Sequence, residues 1–82
     1  MTQLDKLLLQ ILRGTSDNNI DFGDLCRLLH QLNFAVRVKG SHHVFTKPNI
    51  PQLIVLQRDG PKAKPYQVKQ VRQVIVQYKL EV

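Results

Sequence analysis

The stretch "VRVKGSHHVF", residues 36 to 45, sets two histidines directly after a Lys-Gly-Ser turn. Imidazole has an unperturbed pKa of about 6.5, so it can accept and donate a proton near neutral pH. Three chemistries can be asked of such a pair: metal ligation, activation of a protein nucleophile, or proton transfer on a substrate that supplies its own nucleophile.

Metal ligation is poorly served. A zinc site wants three or four ligands, and Cys26 with His30, four apart on one helical face, is the only other candidate set. Cys26 also fits the apolar stripe of that helix, so burial is its expected role and no metal or cofactor is expected. Nucleophilic catalysis fares no better, because nothing assembles a Ser-His-Asp arrangement around Ser41, which reads as a turn residue.

RNA asks for less. Its 2′-OH is the nucleophile, so one proton acceptor and a few cations that stabilise the transition-state charge suffice. His42 or His43 with Lys39, Lys47, Lys62 and Lys64 meets that need, and Gly40 and Ser41 would allow close backbone approach. Successive strand residues point to opposite faces, so in a regular strand only one of the two histidines can enter a given site.

The charge distribution agrees. Residues 1–33 carry three Lys and Arg against four Asp, whereas residues 34–82 carry nine Lys and Arg against Asp59 and Glu81, within a chain of net charge +6. The cationic excess therefore lies on the part that holds the histidines, a field that attracts a polyanion such as nucleic acid.

Helices and strands along the chain would position these groups. Leu4, Leu7, Leu8, Ile11 and Leu12 recur at helical spacing, with Thr2 and Asp5 as a capping pair and Gly14 as the stop. "TSDNN" reads as a linker. Asp21 caps a second helix with Phe22, Leu25, Cys26, Leu28, Leu29 and Leu32 on its apolar face, and Asn33 can take the left-handed conformation that ends it.

"FAVRVKG" alternates Phe34, Val36 and Val38 with Ala35, Arg37 and Lys39, which predicts a strand with one buried face. Gly40 and Ser41 turn the chain into "HHVFTK", completing a hairpin. "QLIVLQ" is a continuous apolar run, expected to be a third and more central strand. "RDGPKAKP" is a basic loop, and Pro65 suits the first turn of a last helix whose apolar positions are Val68, Val71, Val74, Ile75 and Tyr78. The expected order is α-α-β-β-β-α, an α+β fold with an antiparallel three-stranded sheet, helices on one face and the other face free.

Eighty-two residues with 43 % hydrophobic content allow one modest core, read as one domain over 1–82. The lone Cys26 cannot form an internal disulfide, no apolar run reaches the length of a membrane span, and the first residues lack a signal peptide's pattern. A cytoplasmic protein without membrane contact is expected.

The segments "LCRLLHQLNFAVRVKGSHHVFTKP", "LIVLQ", "KAKPYQVKQVRQVI" and "YKL" together resemble the HicA family of toxins from toxin-antitoxin systems. The resemblance covers residues 21–80, and the helix within residues 1–14 lies outside it. It implies a fold like the double-stranded-RNA-binding domain, α-β-β-β-α, and a metal-independent endoribonuclease that cuts mRNA and inhibits translation. It also implies a HicB-type antitoxin partner that covers the active site. The family's key histidine in the Gly-Ser-His motif corresponds to His42, with His43 as the alternative. Asn33 stands where many relatives have Gly. The rival reading is a non-catalytic double-stranded-RNA-binding module, which would use the basic loops but not the turn histidine.

Overall fold

The computed structural model describes residues 3–58 and 60–80. Three helices, α1 (Gln3–Arg13), α2 (Phe22–Gln31) and α3 (Pro65–Tyr78), pack with three strands, β1 (Ala35–Lys39), β2 (His42–Lys47) and β3 (Ile50–Gln57). This is the expected α+β order, with α-β-β-β-α preceded by an N-terminal helix. "TSDNN" is more than a linker, because Asp17–Asn19 forms one 3₁₀ turn.

Helix termini follow local chemistry. The Asp21 carboxylate accepts a hydrogen bond from the Asp24 backbone N–H at 3.0 Å, capping α2. At the other end Asn33 adopts φ +71, with the Phe34 N–H donating to the Leu29 carbonyl and the Asn33 N–H to that of His30. These two bonds are a Schellman closure, and Phe34 is the apolar residue that it folds into the core. α3 starts at Pro65, whose missing N–H costs nothing in the first turn. It ends on the same closure, with Lys79 at φ +52. The Thr2 cap expected for α1 lies outside the described residues.

The sheet is antiparallel in the order β1-β2-β3. β2 is therefore central, and β3 is an edge, which corrects the expectation drawn from its continuous apolar run. Burial on β3 is partial, because only Ile50, Ile54 and Leu56 are buried under the helices, while Gln52 bonds the Gln77 and Tyr78 side chains of α3 from the margin. The other face of the sheet is bare. A strand with Pro51 inside it belongs at an edge, since proline cannot donate to a ladder on both sides.

β1 departs further from expectation. Val36 and Val38 face the helix side, being paired with Phe45 and His43, yet they are 49 % and 59 % exposed. The alternation is real but the helices do not reach that far, so only Phe34, just before the strand, is buried.

The core runs from Ile11 of α1 through Phe22, Leu25, Leu28 and Leu29 of α2 to Phe45, Ile54, Leu56, Val68 and Val71. Arg72 of α3 ties the helices together. Its guanidinium donates to both Asp17 carboxylate oxygens, at 2.9 and 3.2 Å, and to the Ile11 carbonyl at 3.2 Å. Gly14 runs beneath it at φ +70, where an added Cβ would lie 3.3 Å from the guanidinium. Arg72→Met is expected to cost about 1–3 kcal/mol, between the values for exposed and buried pairs, because it strands the half-buried Asp17. Urea unfolding of this variant, combined with Asp17→Asn in a double-mutant cycle, measures the coupling.

Candidate active site

A two-residue turn joins β1 to β2. Gly40 has φ +62 and Ser41 does not have positive φ, the pattern of a II′ turn, which requires glycine at its first central position. A Cβ on Gly40 would meet nothing within 4 Å, so backbone conformation and not close packing selects glycine here.

The turn sends the two histidines to opposite faces, as strand geometry demands. His42 is exposed and lies on the bare face, directly across from Lys39 on β1 and Gln57 on β3. It has no hydrogen-bond partner among the described residues. His43 lies on the helix side opposite Leu56, half-buried, with its ring edge-on to Phe22 at a centroid distance of 5.1 Å. Its Nδ1 is buried without a hydrogen-bond partner among the described residues.

Arg58 was not singled out by the sequence. It follows β3 directly, and its backbone N–H donates to the Ser41 carbonyl at 3.3 Å, tying it to the turn. Its guanidinium lies 5.6 Å over the same Phe22 ring that meets His43, a cation–π placement. The continuous apolar run "QLIVLQ" ends at Gln57, which puts Arg58 in the basic loop, and only the ladder register brings it beside the histidines.

The lysines divide between regions. Lys39 shares the bare face with His42. Lys62 lies on the helix side, where its backbone forms an isolated β-bridge with Asp21 and its ammonium donates to the Asn19 side chain at 3.0 Å. Lys64 is the N-cap residue of α3 and makes no side-chain cap. Lys47 sits at the far end of β2, 6.0 Å over the Phe34 ring, roughly 16 Å of strand from His42. The histidine turn therefore has Lys39 on one side and Arg58 on the other, and Lys47 belongs to a different region.

Cys26 is half-buried on α2. Burial pushes its thiol up from the ordinary value, the Arg58 guanidinium lowers it, and the Asp21 carboxylate raises it. The thiol form that results is a poor nucleophile and a poor ligand. Among the described residues no three His, Cys, Asp or Glu side chains are placed to hold a metal ion. No helix among the described residues is long and apolar enough to cross a membrane.

Neither the curated proteins nor the solved structures contain a match to this chain. The family model described as the HicA toxin of bacterial toxin-antitoxin systems does match it, over residues 22–78, from the start of α2 to the end of α3. Since that span is most of the chain and carries the whole α-β-β-β-α unit with the histidine turn, the protein belongs to the HicA toxin family.

Proposed function

We propose that the free protein is a metal-independent endoribonuclease that cuts mRNA and thereby inhibits translation, and that a HicB-type antitoxin silences it by covering the histidine turn. Membership of a toxin family supplies the biological frame, and the antitoxin partner follows from it. The observation that carries the chemistry is the placement of His42, exposed on an uncovered sheet face with Lys39 directly across the ladder.

In this reading a phosphodiester lies over the bare face at the turn. His42 takes the proton from the 2′-OH as that oxygen attacks phosphorus, and the bond to the 5′-oxygen breaks, that oxygen taking a proton from water to leave as the 5′-OH beside a cyclic 2′,3′-phosphate. Lys39 stabilises the charge that builds on the non-bridging oxygens. Lys62 and Lys64 hold flanking phosphates, with Gly40 and Ser41 keeping the turn narrow enough for the backbone to approach.

His43 carries a second reading on its own observation. Its ring is held against Phe22 beside Arg58, and its Nδ1 has no partner among the described residues. Pre-positioned imidazole next to a guanidinium is also a workable general base with a phosphate anchor.

The test is cleavage of an end-labelled single-stranded RNA by purified, antitoxin-free protein in EDTA. Fragments ending in a cyclic phosphate support the proposal. Intact RNA, together with duplex binding that weakens steeply with salt, would establish the non-catalytic double-stranded-RNA-binding module instead.

A further inference from the structure

The two edges of the sheet are not alike. On β3 the outward positions are Pro51, Leu53 and Val55, since Ile54 and Leu56 pair inward with Phe45 and His43. Pro51 has no N–H to offer, and the Leu53 carbonyl already accepts from the Gln70 side chain of α3 at 3.2 Å. The first half of that edge is blunted.

The β1 edge is open. The Arg58 N–H bonds the Ser41 carbonyl, so the odd-numbered residues of β2 serve β3 and the even-numbered ones serve β1. Ala35, Arg37 and Lys39 thus spend their backbone groups on β2, while the N–H and C=O of Val36 and Val38 point outward. Every residue of β1 is exposed. Its side chains alternate: the two valines are uncovered on the helix side, and Arg37 and Lys39 stand on the bare face. The groove on that face, about 500 Å³, is lined by Ala35, Val36, Arg37, Lys39, Val44, Thr46 and Leu53, with no acidic residue.

We infer that β1 is a docking edge for an extended segment of a partner protein in which carboxylates alternate with aliphatic side chains. Such a strand pairs with the outward groups of Val36 and Val38 and extends the sheet to four strands. Its aliphatic residues cover the two valines, and its carboxylates meet Arg37 and Lys39. Charges that merely guard an edge against pairing need no exposed valines opposite them. A second copy of this chain would set Arg37 and Lys39 against their own kind, which is repulsive. The inference concerns the edge alone and holds whichever histidine handles the proton.

The probe is a synthetic peptide alternating valine and aspartate, titrated into the full ¹⁵N-labelled chain, with a valine–lysine peptide as control. The expected result is saturable shifts centred on β1 and at least tenfold slower hydrogen exchange at Val36 and Val38, with no effect from the control. Val38→Pro removes an outward donor without touching the β1–β2 ladder and is expected to abolish binding. Val36→Lys, which keeps the backbone, is expected to weaken it at least tenfold. Equal binding of both peptides, shifts centred on the helices, no binding, or concentration-dependent dimerisation of the free chain lost in Val38→Pro would each overturn the inference.

Discussion

Free protein carrying His42→Ala is expected to cut RNA about 10²- to 10⁴-fold more slowly than wild type, the range that a positioned general acid or base contributes. The exposure of His42 makes the experiment clean. The side chain touches no buried neighbour that would collapse and has no hydrogen-bond partner among the described residues, so stability should stay within about 0.5 kcal/mol of wild type. Lys39→Ala, directly across the ladder, should slow cleavage while leaving the II′ turn intact.

The companion variant His43→Ala behaves differently in this reading. It loses the edge-on contact with Phe22, which stabilises by about 0.5–1.5 kcal/mol, and keeps most of the cleavage rate. Rates on labelled RNA, read beside urea unfolding curves for the same samples, separate the two histidines. Full loss of activity in His43→Ala at unchanged stability, with His42→Ala still active, would transfer the proton to the helix side and make Arg58 its cation.

Removal of residues 1–14 is the second change with a large expected effect. Ile11 is fully buried in the common core, with Leu4, Leu7 and Leu8 packed against it, and the Ile11 carbonyl accepts from Arg72. Emptying a site like that of Ile11 alone costs about 2–5 kcal/mol. Small domains have only about 5–15 kcal/mol in total. The truncated chain should therefore lose its sharp urea transition or unfold at least about 4 kcal/mol more easily. A transition within about 1 kcal/mol of the full chain would make α1 an appendage and not part of the core. Leu9 and Leu12, each 41 % exposed on the outer face of α1, are the part of the helix that the core does not use.

Much of this fold is legible where a short-range rule governs it. Asp21, Asn33, Gly40 and Pro65 each announce an element boundary through a capping or turn requirement that involves only neighbouring residues, and each sits where that requirement places it. The opposed histidines are legible for the same reason, because alternation is a property of the strand itself. What the residues did not disclose depends on partners distant in the chain. The run "QLIVLQ" looks like an interior strand, but its place is set by which neighbour it pairs with. Val36 and Val38 carry a buried-strand pattern, but burial also needs a helix long enough to cover them. Arg58 becomes part of the histidine site only through the register that brings its N–H to Ser41.

The unequal sheet edges also bear on how this chain behaves when crowded. Growth of a strand-paired filament needs each unit to offer two free edges, one to be added to and one to add onward. Pro51 and the Gln70 side chain obstruct the first half of one of them. A strand-paired assembly of this protein therefore grows unevenly, with one edge of each unit hindered, so even a failed or partner-starved molecule has a brake built into its geometry.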